Sequence, residues 1–315
     1  MAVGARPLVP SRLSPGGVVH GSTRTPTTKL GGYVALAKLR VVELLLITTV
    51  PTMVLAEGGW PDTWLVLVTL IGGTLAAGGA NAINMVVDRD IDALMERTKG
   101  RPLVTGLITP RAALVFAITL EVLSFALLWS QANLLAASLT ISATLFYVFV
   151  YTIWLKRTSR HNIVIGGAAG AVPVLVGWAA VDNGLSWSAA VLFVVMFLWT
   201  PPHFWALAIR HADEYRAAGV PMLPSVVPIA QAVRAMLGYT IALVASSLVL
   251  VPVADLGWLY GGAAVVLGAG FIWATIGLAR TPTPQRSMKV FAYSITYVSV
   301  LFAALTADVL VMHGF

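Results

Sequence analysis

The sequence predicts an all-α polytopic membrane protein with about nine transmembrane helices, and three observations support this prediction. Hydrophobic residues make up 58% of the 315 positions and charged residues only 10%, and the mean hydropathy is +0.86. Apolar runs recur at the length that spans a bilayer, about 17–25 residues. The basic residues lie in alternate loops between these runs. No soluble domain of this length needs so much apolar surface, so we expect the chain to lie in a membrane.

Nine apolar runs are the candidate helices. They cover residues 41–57, 64–87, 112–130, 133–153, 163–181, 187–208, 233–254, 257–279 and 290–312. Only residues 130–133 separate the third run from the fourth. The fifth run opens with the small residues of NIVIGGAAGAVP, which predict close packing of neighbouring backbones more than contact with a ligand.

The distribution of charge predicts the orientation of the chain in the membrane. All 20 Lys and Arg lie in the N-terminal tail or in and beside the loops after the second, fourth, sixth and eighth runs. The opposite loops contain no base and four acids: Glu57, Asp62, Asp182 and Asp255. Basic residues favour the cytoplasmic side, so we expect the N-terminus to be cytoplasmic and the C-terminus to lie outside.

Net charge and cysteine content exclude several classes of function. The net charge of +7 does not indicate nucleic-acid binding, because the bases are spread over loops next to anionic headgroups of membrane lipid. With no Cys in the sequence, disulfides, Cys-bound metals and thiol catalysis are excluded. Residues 1–30 are rich in Ser, Thr, Pro and Gly and predict a disordered cytoplasmic tail. Residues 31–315 form one membrane-embedded domain.

Three polar side chains stand four residues apart where the second apolar run meets a charged loop: Asn84, Asp88 and Asp92. We call them the acidic motif. Four residues advance about 400° around an α-helix, so the three share one face, whereas Asp90 falls on the other side. Two carboxylates and an amide oxygen at this spacing can hold Mg²⁺, which leaves positions for phosphates. At the mouth of a membrane bundle, this predicts a lipid substrate that carries a diphosphate. The alternative is an ordinary solvated helix end.

Basic residues accompany the acidic motif on the same predicted side of the membrane. Arg97 and Arg101 follow it directly, and a further cluster after the fourth run contains Lys156, Arg157 and Arg160. Cations placed here can stabilise the charge that develops on a leaving diphosphate. Positive-inside topology alone is the other explanation for their position.

A second polar cluster, residues 199–224, lies at the end of the sixth run and reads WTPPHFWALAIRHADEYRAAGVPMLP. Its candidate site residues are His203, Arg210, His211, Asp213 and Glu214. A solvated loop also carries charges, but it rarely combines two His, two prolines in succession and several aromatic residues. We therefore predict that this cluster belongs to the same site as the acidic motif.

The chain resembles the intramembrane aromatic prenyltransferases of the UbiA superfamily over about residues 31–310, and within them the branch that modifies heme. Three stretches carry the resemblance: NMVVDRDIDALMERTKGRP, YTIWLKRTSRHNIVIGGAAGAVPVLVGWAA and HFWALAIRHADEYRAAGVPMLP. The first has the N-x-x-x-D-x-x-x-D pattern of the superfamily. The other two are similar to the heme-modifying branch.

The resemblance implies a nine-helix barrel around a lateral, lipid-facing cavity, with two acidic motifs meeting at a cytoplasmic cap. The implied reaction depends on Mg²⁺ and transfers the farnesyl group of farnesyl diphosphate to a vinyl group of heme b, giving heme O. The implied location is a bacterial cell membrane. A heme A synthase or an oxidase assembly factor is the implied downstream partner.

The candidate residues then divide by role. The metal ligands are Asn84, Asp88 and Asp92. The catalytic residues are Asp88, Asp92, Lys156 and Arg157. The substrate-binding residues are Arg97, Arg101, Arg160, His203, Arg210, His211, Asp213 and Glu214. The second cluster departs from the D-x-x-x-D pair of the superfamily, because no two of its carboxylates stand four apart. Asp213 and Glu214 are alternatives there, and a complete second metal site is in doubt.

Contact with heme has more than one explanation. His203 can ligate the heme iron or contact the heme directly, but a His near a helix end is more often only hydrogen-bonded. Arg40, Arg210 or Arg216 can pair with the two propionates. Two rival functions also remain: prenylation of another aromatic acceptor, such as a quinone precursor or a chlorin, and membrane transport. We find no convincing internal repeat of the kind that many transporters show.

Overall fold

The computed structural model describes residues 25–38 and 40–313, without the side chains of residues 40–46 and 313. This part of the chain is helical and contains no β-strand. In chain order the helices are α1 Lys29–Ala37, α2 Arg40–Glu57, α3 Thr63–Val87, α4 Arg89–Leu94, α5 Pro110–Gln131, α6 Leu134–Leu145, a π-helix Phe146–Leu155, α7 Lys156–Thr158, α8 Asn162–Asp182, α9 Trp187–Arg210, α10 Ala212–Ala217, α11 Leu223–Val226, α12 Ile229–Val253, α13 Trp258–Arg280 and α14 Pro284–His313.

Eight spans in the described part of the chain are long and apolar enough to cross a membrane. Seven of them are the single helices α3, α5, α8, α9, α12, α13 and α14. The eighth is the continuous segment Leu134–Thr158, which consists of α6, the π-helix and α7. Helix α2 coincides with the first predicted run and adds a shorter described apolar stretch, Ile47–Glu57. The prediction of an all-α protein with about nine apolar helices is therefore confirmed. The sides of the membrane on which the termini lie remain a prediction.

Asn133 separates the third apolar helix from the fourth, which the sequence divided by only a few residues. Its Oδ1 accepts a hydrogen bond from Ala136 N at 2.8 Å and so caps the start of α6. Its Nδ2 donates to the carbonyl oxygen of Ala179 in α8 at 2.6 Å. One side chain thus satisfies the helix start and ties it to a neighbouring helix, which makes the break sharp.

The long helices surround a central cavity. Helix α2 packs against α3, α8 and α14, and α8 packs against α6 and α9. Helix α5 packs against α3 and α6, and α12, α13 and α14 form the flank beside α9. The cavity walls come from α2, α3, α6, the π-helix, α8 and α9. Large apolar side chains are exposed on the outside, among them Trp187, Trp258 and Trp273, as a surface facing lipid requires.

The small residues of α8 serve both packing and the cavity. A Cβ atom on Gly167 would lie 2.9 Å from Thr200 Cβ in α9, and one on Gly177 would lie 2.8 Å from the carbonyl oxygen of Thr49 in α2. These two positions agree with the packing prediction. Gly170 differs, because the space beyond its Cα is open and it lines the cavity.

A π-helix, Phe146–Leu155, forms the last part of the fourth apolar run. Residue type does not distinguish its wider hydrogen bonding from that of an α-helix, so the sequence predicted only a continuous apolar helix. Such segments are rare and are frequently found at functional sites. This one places Tyr147 and Tyr151 in the cavity wall with their ring centroids 5.3 Å apart. It also brings Thr152 to Asn84.

Helix α1 begins at Lys29, just before the predicted start of the membrane domain. The Oγ1 of Thr28 accepts a hydrogen bond from Gly31 N at 3.1 Å and caps the helix. Lys38 ends the helix in a left-handed conformation, φ 46° and ψ 59°, which costs a residue with a Cβ about 1–2 kcal/mol. The predicted tail, residues 1–30, lies mostly outside the described residues.

Candidate active site

The acidic motif lies where α3 ends and α4 begins. The spacing of the three residues had predicted one continuous helix. Asp88 instead stands between the two helices at φ −86° and ψ 4°, so the helix is interrupted there. The four-residue ladder of hydrogen bonds nevertheless continues, from Asp88 N to Asn84 O at 2.9 Å and from Asp92 N to Asp88 O at 2.8 Å. Asn84, Asp88 and Asp92 are 3%, 0% and 3% exposed. The structure thus buries all three together.

Asp88 is surrounded by donors on one oxygen, whereas the other oxygen has only the Arg157 guanidinium nearby, at 3.8 Å. The ammonium of Lys156 contacts its Oδ2, and Asn84 Nδ2 donates to the same oxygen at 2.7 Å. The second hydrogen of that amide points to Thr152 Oγ1 at 3.2 Å. Asp88 Oδ1 is buried without a hydrogen-bond partner. A buried acceptor without a hydrogen bond costs free energy, so this oxygen has room for a further donor or a cation closer than Arg157.

Asp92 is paired with Arg101. The guanidinium Nη1 lies 2.5 Å from Asp92 Oδ2, and Thr98 Oγ1 donates to the Asp92 carbonyl oxygen at 2.8 Å, which fixes the loop beyond α4. Burial raises the pKa of the Asp92 carboxyl, and the nearby Arg101 opposes that rise. The ionised form therefore gains from every further positive charge brought to this position.

Asp90 lies outside the buried cluster, on the exposed side of α4, as its position in the sequence predicted. Its two oxygens accept hydrogen bonds of 2.7 Å each from Nη1 and Nη2 of Arg157. These hydrogen bonds are the main reason that the pKa of the Asp90 carboxyl is lowered to about 2. Arg157 also donates to the Val87 carbonyl oxygen at 2.9 Å. The sequence had suggested no link between Asp90 and this predicted catalytic cation.

In the second polar cluster the two candidate acids differ in environment. Glu214 Oε1 lies 2.9 Å from His211 Nδ1, while Glu214 Oε2 is buried without a partner. The side chain of Asp213 is 97% exposed and pairs with Arg216 at 2.6 Å. Of the two alternatives that the sequence left open, Glu214 is the one whose carboxylate points into the protein.

One hydrogen bond joins the loop after the acidic motif to the second cluster: Arg97 Nη2 donates to Tyr215 Oη at 3.3 Å. The remaining predicted cations stay apart from the buried carboxylates. Arg160 is exposed and its Nε contacts the ring of His161 at 3.4 Å, and Arg210 is exposed at the end of α9. The Arg40 side chain lies outside the described residues.

The cavity has a volume of about 390 Å³ and begins at the polar end of the bundle. Its wall is mostly small and apolar, with Tyr147, Tyr151, Trp199 and Phe204 as the large rings. Because these rings come from the π-helix and from α9, aromatic faces line two sides of the space. Such a cavity suits an elongated apolar group whose polar end lies near the carboxylates.

Two polar residues of the cavity wall were missed by sequence reasoning, Lys38 and Asn81. Lys38 Nζ donates to Asn81 Oδ1 at 3.3 Å, and both side chains line the cavity. Asn81 stands three residues before Asn84, a spacing that places neighbours on one helix face, and this signal could have revealed it. No comparable pattern marks Lys38, which only the packing of α1 brings to the site.

His203 lies against α14 and is not part of the cavity wall. Its Nδ1 lies 2.7 Å from Ser294 Oγ, and its ring stacks between Trp199 and Phe291 with centroid distances of 4.2 and 4.6 Å. The adjacent Trp199 and Phe204 do line the cavity. In this conformation His203 supports the aromatic wall from behind.

The acidic motif fits a divalent cation whose coordination is completed by oxygens of a ligand. Two buried carboxylates, an adjacent amide and the open Asp88 Oδ1 supply oxygens of the kind that Mg²⁺ takes. Among the described residues, no group of three or more His, Asp or Glu forms a metal cage. Mg²⁺ is usually held by one or two carboxylates together with phosphates.

A helical membrane bundle with an apolar cavity, and with buried carboxylates and cations close to its polar wall residues Lys38 and Asn81, is the arrangement expected of an intramembrane prenyltransferase. The sequence model of the UbiA prenyltransferase family matches residues 45–303. The chain belongs to that family.

Relatives that are about half identical all along their length carry the name protoheme IX farnesyltransferase. The protein of Frankia alni is 53% identical over 286 residues, covering 90% of this chain and 99% of its own. The protein of Streptomyces coelicolor is 47% identical over 305 residues, covering 93% of this chain and 96% of its own.

Solved structures share the fold at low sequence identity. A structure described as digeranylgeranylglyceryl phosphate synthase in membranes has a TM-score of 0.74 and 19% identity, covering 89% of this chain and 98% of its own. A UbiA homolog from Archaeoglobus fulgidus bound to DMAPP and Mg²⁺ has a TM-score of 0.58 and 17% identity. The match covers 87% of this chain and 99% of the chain of that homolog. These likenesses confirm the UbiA-type helical fold.

Proposed function

We propose that this protein transfers the farnesyl group of farnesyl diphosphate to a vinyl group of heme b, giving heme O and diphosphate. The observation that carries this function is the position of two buried carboxylates, Asp88 and Asp92, beside an apolar cavity of about 390 Å³. The name of the relatives supports heme b as the acceptor.

The reaction makes defined demands on the site. The allylic C–O bond of farnesyl diphosphate breaks, and its electron pair leaves with the diphosphate. The first carbon of the farnesyl group forms a bond with the outer vinyl carbon of heme b. Water adds to the inner vinyl carbon and loses a proton, which leaves a hydroxyethylfarnesyl side chain. The site must therefore stabilise the leaving group and protect an allylic cation from water.

The diphosphate binds where the acidic motif and its cations meet. Mg²⁺ held by Asp88, Asp92 and Asn84 would supply positive charge to the leaving diphosphate. Lys156 and Arg101 contact these same carboxylates. Both therefore lie within one side-chain length of any phosphate bound there and can neutralise its oxygens.

The farnesyl chain occupies the apolar cavity. Tyr147 and Tyr151 line its polar end, where the allylic carbon is released, and their ring faces attract a cation. The small residues along α3 and α8 leave room for the chain beyond them. Enclosure by helices keeps water away from the cation until the carbon–carbon bond has formed.

Heme b approaches along α9, where Trp199 and Phe204 line the cavity. His203 lies directly behind these rings. Direct ligation of heme iron by His203 remains a prediction. The contact of Nδ1 with Ser294 leaves Nε2 available to a metal, but the ring would have to leave its stack between Trp199 and Phe291 to reach the cavity. Because the basic loops share one end of the bundle, we further propose that this end faces the cytoplasm of a bacterial cell membrane.

Incubation of the purified protein in lipid vesicles with heme b, farnesyl diphosphate and Mg²⁺ tests this function. Mass analysis of the extracted heme should show a farnesylated and hydrated product that Asp88→Asn protein does not make. A parallel incubation with 4-hydroxybenzoate tests the other acceptor class. Prenylated 4-hydroxybenzoate together with unchanged heme would contradict the proposed acceptor. Solute movement without diphosphate release would contradict prenyl transfer altogether.

A further inference from the structure

Lys38 is a cationic side chain in the wall of an otherwise mostly apolar cavity. It stands between α1 and α2 in a left-handed backbone conformation, φ 46° and ψ 59°, which a residue with a Cβ seldom adopts. Backbone strain of this kind persists only where the surrounding structure fixes it, and it concentrates at functional sites. The conformation of Lys38 and its place in the cavity wall therefore suggest a functional role.

The carboxylates nearest to it already have partners. Asp88 is paired with Lys156, and Asp92 is paired with Arg101. None of the carboxylates whose side chains the structure describes forms an ion pair with Lys38. Beside apolar surface an ammonium group keeps its charge at little cost only when an anion is near, and otherwise it tends to lose its proton. A bound anionic ligand would supply such a partner.

Within the described residues, the ammonium of Lys38 donates a hydrogen bond to a neutral group, Asn81 Oδ1, at 3.3 Å. Asn81 and Asn84 lie three residues apart in α3, so both amides flank the last turns before Asp88. The ammonium group is therefore held on the cavity side of the acidic motif. An anion bound to that motif and extending into the cavity would meet it.

We propose that Lys38 is a further binding residue for the diphosphate of the isoprenoid substrate, which it contacts from the cavity side of the acidic motif. This assignment rests on the function proposed above, because it takes farnesyl diphosphate as the donor. Lys156 and Arg101 contact the carboxylates themselves. The three cations would then enclose a group that carries several negative charges.

Binding should be coupled to proton uptake at this residue. Burial, and then the positive charges of Arg101 and Lys156, lower the pKa of the Lys38 ammonium to about 7, while Asp92 and Asp88 oppose the shift. Near neutral pH a large fraction of the free protein therefore carries Lys38 uncharged. A diphosphate stabilises the charged form, so its affinity should fall as the pH rises above 7, by up to about tenfold per pH unit.

The test is binding of farnesyl thiolodiphosphate, an unreactive analogue, with Mg²⁺ to the full chain in lipid nanodiscs. Lys38→Met and Lys38→Gly should each weaken binding by about tenfold to a hundredfold, the usual range for a lost charge-assisted hydrogen bond. The glycine variant accepts the left-handed backbone without strain, so it guards against misfolding. Lys38→Arg should retain most of the affinity and lose its dependence on pH between 7 and 9.

Lys99→Met is the matched control, because Lys99 is exposed and pairs with Glu96 at 2.6 Å. Its affinity for the analogue should equal that of the unmodified protein. Equal affinity in Lys38→Met and the unmodified protein would overturn the assignment. A defect that appears only in heme b titrations would also overturn it and would place Lys38 on the acceptor's carboxylates. If the unmodified protein neither binds the analogue nor alters heme b, the proposed function itself fails, whatever the variants do.

Discussion

Asp90 holds Arg157 in place through two hydrogen bonds of 2.7 Å on the exposed side of α4. The same guanidinium lies 3.8 Å from Asp88 Oδ1, the buried oxygen that has no hydrogen-bond partner. An acid outside the buried motif thus orients a cation toward the motif. The i and i+2 positions of Asp88 and Asp90 face opposite ways, yet Arg157 connects them because it reaches α4 from another helix.

Removal of Asp90 and of Arg157 should therefore have effects that are not additive. We expect Asp90→Ala to lower kcat/KM about three- to tenfold, because Arg157 loses its orientation. The double variant with Arg157→Ala should be no worse than Arg157→Ala alone, as for residues that act through one another. Steady-state turnover of farnesyl diphosphate measures the cycle. Losses that multiply would show that Asp90 acts independently.

Loss of either buried carboxylate should be far more severe. Asp88→Ala and Asp92→Ala should each lower turnover at least about a hundredfold, because a direct ligand of Mg²⁺ is lost. Folding in membranes should be kept, as measured by yield and thermal stability of the solubilised protein. Loss at these positions no greater than in Asp90→Ala would mean that the buried face does not bind the metal.

The two acids of the second cluster should differ in importance. Glu214→Gln should lower turnover about tenfold or more, since its buried Oε2 lacks a partner within the described residues. Asp213→Asn should have a much smaller effect, because that carboxylate is exposed and pairs with Arg216. Turnover of both variants over a range of Mg²⁺ concentrations is the measurement. The reverse order would place Asp213 in the site.

His203 should affect heme more than the isoprenoid. His203→Ala removes the ring that supports Trp199, so we expect the KM for heme b to rise and that for farnesyl diphosphate to change little. Ser294→Ala frees the ring from its hydrogen bond at 2.7 Å. A similar but smaller defect in this variant would show that His203 acts by position. A gain in heme binding would instead favour ligation of iron by the freed ring.

Gly170 should control the length of the prenyl group. The space beyond its Cα is open and belongs to the cavity, so Gly170→Leu would fill part of the room for the chain. We expect turnover with farnesyl diphosphate to fall about tenfold or more, and the preference to move toward geranyl diphosphate. Gly170→Ala should change little. Equal losses with both donors would indicate that the chain lies elsewhere.

Much of the site followed from spacing along the chain. Asn84, Asp88 and Asp92 are buried together because an i→i+4 ladder survives the break between two helices. The choice between Asp213 and Glu214 did not follow from sequence, since neighbouring residues point in different directions only once the loop has a conformation. The π-helix that places Tyr147 and Tyr151 in the cavity was also hidden, because its residues suit an α-helix equally well.

The sequence by itself determined that this protein lies in a lipid bilayer, how many apolar helices it has and which chemical groups its polar loops contain. Hydropathy and helical period are local properties, and lipid leaves helices as the natural way to satisfy the backbone. Only the tertiary structure decided which charges meet. Lys156 reaches Asp88 and Lys38 reaches Asn81 across long stretches of chain. The packing angles of separate helices set those contacts, and no local pattern of residues encodes them.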